Sequence, residues 1–388
     1  MDVIQIVIGR FHHFHLARQL ERHGLLKSIW SGYPKFKLRD EHGIPSDKIK
    51  TFPWLQTLYM GLGKFGIPST CAIQREINWL AHETLDRRVA SQIVSPGVII
   101  GLSGSGLHSG LKMKSLGGKY ICDRGSSHIQ YQDRLLREES QLWGQKYLGI
   151  DPRKIEKEIR EYESADFITV PSDFARNSFI ELGLSPRKIV KIPYGVNLQR
   201  FAKNGSPDKN KFRILWVGNV SLQKGFLYLL EAFRQLNVVG KELMVVGRVM
   251  PEIANILKKR IIENVRFLGE ITNKRLPLLY STSNVFVLPS IQEGMGMVLG
   301  EALACGCPVI ASENTGARDL FTDGSEGFVV PIREPAVIRD RLLQLAEDTE
   351  LHQKMSESAM RLMKGQNGWN RYGDAFAELI RNRINEHN

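Results

Sequence analysis

The sequence predicts an α/β protein with two doubly wound, Rossmann-like domains that face each other across a cleft. The chain has 388 residues, and domains of roughly 100–200 residues each make two large domains the expected arrangement. Short, nearly all-apolar runs alternate with helical patterns in both halves, which is typical of parallel strands buried on both faces. A polar segment containing Gly and Pro, residues 202–211, reads as a loop between the domains.

The apolar runs predict eleven strands. They are Val3–Ile8, Gly97–Ile100, Lys119–Cys122, Phe167–Val170, Ile189–Ile192, Arg213–Val217, Leu243–Val246, Val265–Leu268, Val285–Leu288, Val309–Ala311 and Gly327–Val330. Helical spacing between them includes Leu16–His23, Ile155–Ser164, Phe226–Leu236 and Met297–Ala304. This alternation indicates parallel sheets with right-handed crossovers. Ligands of such sheets bind outside the carboxyl ends of the strands, so the cleft is the predicted site.

Composition places the chain among globular proteins, with 42% hydrophobic and 24% charged residues. The apolar start Met1–Gly9 lacks a basic region and has strand length, so it predicts a first strand and not a signal peptide. An uninterrupted apolar run of roughly 18 residues is missing, so we expect a cytoplasmic protein, either soluble or peripheral at the inner face of the membrane. The cysteines, Cys71, Cys122, Cys305 and Cys307, are expected to be reduced and packed.

Charge is unevenly placed along the chain, whose net charge is +12. Residues 1–200 carry 29 Lys and Arg against 20 Asp and Glu, a net +9, which leaves +3 for residues 201–388. A basic first half suits an anionic membrane surface or an anionic acceptor, although solvated surface charge explains it equally well. The basic and aromatic motifs typical of nucleic-acid binding are missing, so we expect no nucleic-acid partner.

The segment from Val285 to Ser312 carries the strongest chemical signal. It predicts a strand, a glycine-containing loop, a helix and another strand, with Gly294 and Gly296 allowing the backbone to approach a ligand closely. The helix N-terminus offers free N–H groups suited to a diphosphate. Glu293 lies in the loop and Glu301 one turn into the helix, where carboxylates can accept hydrogen bonds from a diol. Two surface glutamates beside a glycine loop are the simpler alternative.

This segment resembles the retaining glycosyltransferases of family 4, which have the GT-B fold. Their signature is E-x7-E followed by A-x-G-x-P-V-I-A-S, and residues 304–312 read A-C-G-C-P-V-I-A-S. Further motifs match in the family's order upstream of this segment, at Lys191–Asn197, Trp216–Gly225 and Val265–Gly269. The resemblance implies an acceptor domain over residues 1–201 and a nucleotide-sugar domain over residues 202–368. It also implies a last helix, about 369–388, that packs back on the first domain.

Roles at matching positions are implied by the same resemblance. Lys224 would neutralise the donor diphosphate, Glu293 would bind the transferred sugar, and Glu301 would bind the ribose. The implied donor contacts are Gly218, Asn219, Lys224, Arg266, Phe267, Leu268, Glu293, Gly294, Met295, Gly296, Met297, Val298 and Glu301. Related enzymes often place a histidine after a strand near the sugar, and His128 fits that place. We therefore predict Glu293, Lys224 and His128 as the catalytic residues, with a structural histidine as the alternative for His128.

One position departs from the family pattern. The family usually has Arg two residues after the strand, in a V-G-R turn, and this chain has Asn219 there. Arg248, which follows Val245-Val-Gly247, is the cation that we expect to substitute. Weaker turnover, or binding without catalysis, are the other outcomes that this departure leaves open.

The acceptor is expected at the first domain. Gly9, Arg10, His12 and His13 follow the first strand and open a helix, and Arg124 follows Lys119–Cys122 near His128, so we predict these five as acceptor contacts. His12, His13 and His15 also suggest a metal site. We disfavour it, because a carboxylate is not close to them in sequence and the family usually works without metal. No metal or cofactor is expected.

The combined prediction is a retaining glycosyltransferase with a front-face displacement mechanism. It would move one sugar from a nucleoside diphosphate sugar to a glycan or lipid-linked acceptor, in the synthesis of cell-surface polysaccharide or glycolipid. UDP is the commoner nucleotide in such donors, and GDP remains an alternative. Three alternatives remain. They are a nucleotide-sugar epimerase on the same fold, a basic module for nucleic acid or membrane, and a degenerate, non-catalytic nucleotide-sugar-binding scaffold.

Overall fold

Two parallel β-sheets, each covered by helices, organise the chain in the computed structural model. The structure describes residues 2–64, 72–258 and 263–383. Cys71, expected as a packed thiol, lies outside them, whereas Cys122, Cys305 and Cys307 are buried and free. In the described ranges, no helix combines the length and apolar character needed to cross a membrane.

The first sheet has seven strands in the order β3-β2-β1-β4-β5-β6-β7. They are β1 Val3–Val7, β2 Leu26–Ser31, β3 Ile49–Thr51, β4 Val98–Leu102, β5 Lys119–Asp123, β6 Phe167–Val170 and β7 Ile189–Lys191. The helices of this half are α1 His13–Arg22, α2 Trp54–Lys64, α3 Ala72–Ala90, α4 Leu107–Ser115, α5 Ile129–Leu142, α6 Pro152–Ser164 and α7 Asp173–Glu181. Every strand pair is parallel.

The second sheet has six strands in the order β10-β9-β8-β11-β12-β13, again all parallel. They are β8 Phe212–Val217, β9 Lys241–Val246, β10 Val265–Gly269, β11 Val285–Leu288, β12 Val309–Ser312 and β13 Gly327–Val330. Its helices are α8 Phe226–Gln235, α9 Pro251–Lys258, α10 Leu276–Ser281, α11 Met297–Ala304, α12 Ala317–Leu320, α13 Pro335–Glu347 and α14 Thr349–Gly365. Residues 202–211, between the sheets, contain neither helix nor strand.

Burial on both faces explains why these runs became strands. All residues of β1, β11 and β12 are buried, so β-branched and aliphatic side chains are favoured at every position and not at alternate ones. The prediction of parallel, doubly wound sheets is confirmed. It missed β2 and β3, which form one edge of the first sheet and carry exposed lysines within the strands.

The last helix, α15 Trp369–Glu378, returns to the first sheet. Its Tyr372 and Phe376 join Val3 and Phe14 in one buried cluster. Gly373 is needed where α15 crosses α1, because a Cβ there would lie 2.2 Å from Cβ of Gln19. The two halves are therefore connected by the 202–211 segment and again by the chain that leads into α15.

Candidate active site

Loops at the carboxyl ends of three neighbouring strands of the second sheet form one side of the candidate site. Strands β9, β8 and β11 are adjacent, so the turns that follow them meet at the same edge. The loop after β11 is fixed by backbone hydrogen bonds from Glu293 N to Asn314 O, 3.1 Å, and from Gly296 N to Thr315 O, 2.9 Å. Ser172 Oγ, from the first half, donates to Gly294 O at 2.5 Å.

Helix α11 begins at Met297, with Gly296 as its N-cap residue. The amides of Met297 and Val298 have no backbone acceptor in the described chain. Free N–H groups at a helix start, together with the helix dipole, make a binding site for an anionic group. Met297 is exposed, while Met295 is buried in the core of the second half. The predicted contacts in this loop therefore present backbone amides, and Met295 contributes packing.

Lys224 and Glu293 form the central charged pair of the site. The Lys224 ammonium contacts both carboxylate oxygens of Glu293, and Ser290 Oγ donates to Oε2 of Glu293 at 3.2 Å. Both charged side chains remain partly accessible, 22% and 17%. The two groups predicted for phosphate and for sugar thus lie side by side in an accessible place.

Glu301 occupies a drier position on α11. Tyr280 Oη donates to its carboxylate at 3.3 Å. Burial raises the pKa of Glu301 to about 7, and the Tyr280 hydrogen bond and the positive charge of Arg200 only partly oppose that shift. Its side chain lines a cavity of about 570 Å³ between the two halves. A buried carboxyl facing a cavity can pair with two hydroxyl groups of one ligand.

Two glutamines, which the sequence analysis missed, connect the segments that carry the predicted catalytic residues. Gln223 Nε2 donates to Gln292 Oε1 at 3.1 Å. Gln292 Nε2 then donates across the cleft to Oγ of Ser126, 2.6 Å, and of Ser127, 2.9 Å. Gln292 is fully buried.

Three of the four members of this hydrogen-bond chain directly precede a predicted catalytic residue, and the fourth, Ser126, lies two residues before His128. Gln223 precedes Lys224, Gln292 precedes Glu293, and Ser127 precedes His128. The approach is close, since a Cβ on Gly294 would lie 2.0 Å from Gly125 O. The chain brings the three segments together although they are far apart in sequence, which is why spacing alone could not reveal Gln292.

The turn at Gly218-Asn219 lies directly beside the turn at Gly247-Arg248. Val220 N donates to Arg248 O at 2.9 Å, and a Cβ on Gly247 would lie 1.9 Å from Gly218 O. Asn219 and Arg248 are both exposed, and Arg248 makes no ion pair with the described residues. An unpaired guanidinium therefore stands next to the position where the family pattern has arginine.

The predicted base-binding residues lie on β10, the edge strand of the second sheet. Arg266, Phe267 and Leu268 are all exposed, with 42% of Phe267 and 38% of Leu268 accessible. The Phe267 ring also contacts the Phe226 ring, with centroids 6.0 Å apart. An open apolar edge of this kind can pack against a planar base.

The first half contributes a charged wall to the 570 Å³ cavity. Arg10 and Arg18 both bind the carboxylate of Glu41, the Arg18 contact measuring 2.7 Å. Arg200 lines the same cavity, and Gly9 O accepts from Ser31 Oγ at 2.9 Å. Arg10 is thus placed where an acceptor can reach it, and Gly9 shapes the turn that carries it.

The acceptor predictions for Arg124 and His13 are wrong, because both side chains are enclosed. The Arg124 guanidinium donates to Glu158 at 2.7 Å, Ser127 O at 2.9 Å and Gln132 at 2.6 Å. It therefore holds the 125–128 loop instead of a ligand. His13 is fully buried.

His12 is also buried, 7% exposed, and its Nε2 lies 2.5 Å from Asp123 Oδ2. The prediction of an acceptor contact is therefore corrected for His12 as well. Asp123 is the carboxylate that was missing near these histidines in sequence, and it reaches them from the end of β5.

His128 serves as the N-cap of α5, where its Nδ1 accepts from Gln130 N at 3.2 Å. Its ring packs against Tyr162 and Phe179. Burial, followed by the charge of Arg124, lowers the pKa of His128 to about 4, so the ring is neutral at pH 7. Because Nδ1 accepts, the proton is assigned to Nε2. The His128 side chain is only 2% exposed. It differs from His12 and Arg124 in that Nε2 has no hydrogen-bond partner in the described part of the chain and is not among the fully enclosed polar atoms, so Nε2 is the atom of this ring that can donate to a ligand.

Comparison with known proteins agrees with this arrangement. The family model described as "Glycosyl transferases group 1" matches residues 199–361. The chain is 28% identical over 173 residues to alpha-D-kanosaminyltransferase of Streptomyces kanamyceticus, covering 43% of this chain and 45% of that protein. It is 30% identical over 173 residues to phosphatidyl-myo-inositol mannosyltransferase of Mycobacterium leprae, covering 42% and 46%. The chain spans about half the length of the curated relatives it matches.

Solved structures match over the whole length. Sucrose-phosphate synthase from Thermosynechococcus elongatus superposes with a TM-score of 0.72 at 19% identity and full coverage of both chains. Anabaena HepE, solved with UDP and glucose, gives 0.71 at 17% identity, covering 97% of this chain and 98% of HepE. WaaG, a glycosyltransferase involved in lipopolysaccharide biosynthesis, gives a TM-score of 0.67 at 15% identity, covering 98% of this chain and 100% of WaaG. These likenesses show that the fold is GT-B.

Proposed function

We propose that this chain, whose residues 199–361 belong to the group 1 glycosyl transferases, moves one sugar from a nucleoside diphosphate sugar to a glycan or lipid-linked acceptor. The observation that carries the proposal is the Lys224–Glu293 pair beside the free amides of Met297 and Val298. A cation and a helix N-terminus stabilise a departing diphosphate, and a carboxylate next to them can bind the hydroxyls of the sugar.

The proposed reaction is a retaining, family 4 type transfer by front-face displacement. The bond between the anomeric carbon and the diphosphate oxygen breaks, and its electron pair stays on the diphosphate. Lys224 and the amides of Met297 and Val298 stabilise that charge. The acceptor hydroxyl attacks from the same face, and its proton passes to the departing phosphate oxygen. Because cations and amides of the chain are present at the phosphate, we propose that transfer needs no metal there.

Positions of the other groups follow from the same geometry. Glu301 binds the ribose hydroxyls from its cavity position, and Arg266, Phe267 and Leu268 border the base. Arg248 takes the place of the usual arginine at the phosphate, and Gly218 and Asn219 shape the turn below it. His128 Nε2–H donates to a hydroxyl oxygen of the transferred sugar. UDP is the proposed nucleotide, supported by the UDP and UDP-glucose bound in the HepE structures.

Arg10 and the adjoining cavity, including Arg18 and Arg200, form the proposed acceptor region. We also propose that the first half docks on an anionic membrane surface, which would bring a lipid-linked acceptor within reach. Trp54 is 75% exposed, and it lines one open depression together with Lys35, Lys50 and Arg88. Aromatic and basic side chains together suit the headgroup region of a membrane. Cosedimentation with phosphatidylglycerol vesicles but not with phosphatidylcholine vesicles is the expected result.

A donor screen tests the proposal. UDP- and GDP-sugars are added to the protein and the free energy of unfolding is measured, since a ligand at about 100 times its Kd adds about 2.7 kcal/mol. The best donor is then incubated with candidate acceptors, and transfer is followed by mass spectrometry. Acceptor-dependent transfer that is lost in Glu293→Gln supports the proposal. Donor epimerisation without acceptor would identify the same-fold epimerase instead, and donor binding with full activity in Glu293→Gln would refute the assigned role.

A further inference from the structure

A buried cluster of three possible metal ligands lies under the turn that follows β1. Nε2 of His12 and Nε2 of His13 approach the same oxygen of Asp123, Oδ2, at 2.5 Å and 3.0 Å. The ligand atoms of the three residues all lie within 4.8 Å of one another. His12 and His13 open α1, and Asp123 ends β5, so the cluster joins two chain segments that are distant in sequence.

His13 has no satisfactory hydrogen bond in this cluster. Its side chain is fully buried, and neither Nδ1 nor Nε2 has a hydrogen-bond partner. Nε2 lies 3.0 Å from Asp123 Oδ2, a contact that counts as an ion pair and not as a hydrogen bond. Buried polar groups are rarely left unpaired, which points to an additional binding partner.

A neighbouring hydroxyl group holds the carboxylate of Asp123 in a fixed orientation. Thr169 Oγ1 donates to Asp123 Oδ1 at 2.6 Å, which leaves Oδ2 for the two histidines. Tyr194 Oη is 3.5 Å from His12 Nε2. Tyr194 therefore offers one oxygen close to the three named residues.

We propose that His12, His13 and Asp123 bind one divalent transition metal ion of the Zn²⁺ type. Two imidazole nitrogens and one carboxylate oxygen are ligands that Zn²⁺ accepts, and a fourth position is open to Tyr194 or water. The ion links the Gly9–His13 turn to the end of β5. It lies within the first half and takes no part in breaking the donor bond, so this site and the metal-free transfer proposed above are compatible.

Metal binding is measured without donor or acceptor, so the result is independent of the proposed function. The full-length protein is stripped with a chelator, dialysed with Zn²⁺ and analysed for bound metal by mass spectrometry, and its Tm is compared with and without Zn²⁺. One equivalent of Zn²⁺ and a raised Tm are expected. His13→Gln and Asp123→Asn should weaken binding more than about tenfold, and Thr169→Val about 10–100-fold.

His15→Gln is the matched control. His15 lies on the same helix, and its ring stacks on Trp369 with centroids 4.0 Å apart, so this variant should keep wild-type Zn²⁺ binding. Wild-type protein that retains less than a tenth of an equivalent and shows no change in Tm would overturn the proposal, whether or not the variants fold. Equal Zn²⁺ binding by His13→Gln and wild type would also overturn it, because the ion would then be held elsewhere.

Discussion

The ammonium of Lys224 contacts both carboxylate oxygens of Glu293, so the groups assigned to the phosphate and to the sugar neutralise each other. A bound donor has to divide this pair, with the diphosphate taking the cation and the sugar hydroxyls taking the carboxylate. Part of the binding free energy of the donor therefore replaces the ion pair between Lys224 and Glu293. Both the diphosphate and the sugar of the donor are needed for this replacement.

Lys224→Ala is expected to lower kcat/KM for transfer by about 10²–10³-fold, because a charge-stabilising group at the leaving diphosphate is lost. Lys224→Arg keeps the charge and should retain part of the activity. Lys354→Ala, at an exposed pair with Glu350 on α14, is the control and should match wild type. Steady-state kinetics with saturating acceptor measures the effect, and wild-type rates in Lys224→Ala would contradict the assignment.

Gln292→Met tests the hydrogen-bond chain across the cleft. Methionine has a similar volume but cannot donate to Ser126 and Ser127 or accept from Gln223. We expect kcat to fall about tenfold with a smaller change in donor KM, and the share of donor hydrolysed by water to rise, because the cleft closes less accurately. The free energy of unfolding should fall by about 1–3 kcal/mol.

A double variant at the two serines distinguishes a role of Gln292 in positioning the catalytic segments from a role in stability alone. The double variant Ser126→Ala, Ser127→Ala removes the two hydroxyl oxygens that accept these hydrogen bonds from Gln292. Adding Gln292→Met to the double variant should therefore lower kcat only slightly further. Additive losses of kcat, or a Gln292→Met variant that is less stable but has wild-type kcat and hydrolysis, would show that Gln292 only packs.

His128→Asn separates the capping role of His128 from a role at the sugar. Asparagine can cap α5 in place of Nδ1 but has no group at the position of Nε2. We expect the free energy of unfolding to fall by about 1–2 kcal/mol, because the ring contacts with Tyr162 and Phe179 are lost while the cap is kept. We expect kcat/KM to fall about tenfold or more, because the hydrogen bond from Nε2–H to the transferred sugar is lost. His128→Ala should lose both stability and activity. Unchanged turnover in His128→Asn would leave His128 as a structural residue.

Glu301 predicts a pH dependence of stability. Its raised pKa, about 7 against 4.5, means that the folded protein holds this proton more tightly than the unfolded chain does. The resulting stabilisation is complete below pH 4.5 and is lost as the pH rises through about 7, at most on the order of 3 kcal/mol. Glu301→Gln has no carboxyl to titrate and therefore lacks this loss of stability. The difference in unfolding free energy, variant minus wild type, should increase as the pH rises from about 4.5 to about 8.

Denaturant unfolding at several pH values measures this difference. Glu270→Gln, at an exposed position after β10, is the control and should give no comparable change. Parallel pH curves for wild type and Glu301→Gln would show that the carboxyl of Glu301 ionises as it does in water.

Arg248→Ala should lower transfer about 10-fold to 100-fold, because the guanidinium beside Asn219 is then missing from the phosphate site. Asn219→Arg in the same chain restores the usual family arrangement and should recover most of the loss. Arg361→Ala, on an exposed part of α14, provides the control. Unchanged donor turnover in Arg248→Ala would refute substitution by this residue.

Much of the fold was predictable because burial on both faces makes a strand recognisable from its own residues. Runs such as Val285–Leu288 are apolar at every position and were assigned correctly. The edge strands Leu26–Ser31 and Ile49–Thr51 were missed, since lysines interrupt their apolar pattern. Their pairing depends on a neighbouring strand, which a local pattern cannot show.

The candidate site was predictable only where a motif is continuous in sequence. Glu293, Glu301 and the start of α11 are close along the chain, so their proximity in space followed from helix geometry. Gln292 and Asp123 act on partners more than a hundred residues away, and residue spacing carries no signal for such contacts. For the same reason the sequence could not show that the Arg124 guanidinium binds Glu158 and is therefore not accessible to an acceptor.

The return of α15 to the first sheet also affects how the protein is made. Val3 and Phe14 leave the ribosome long before Tyr372, Phe376 and Ile380, which cover them, because the whole second sheet lies between these segments in sequence. The second half therefore folds next to a neighbour whose apolar surface is still open to water. During that interval the nascent chain presents a natural binding site for chaperones, and the first domain is completed only after the second sheet has been translated.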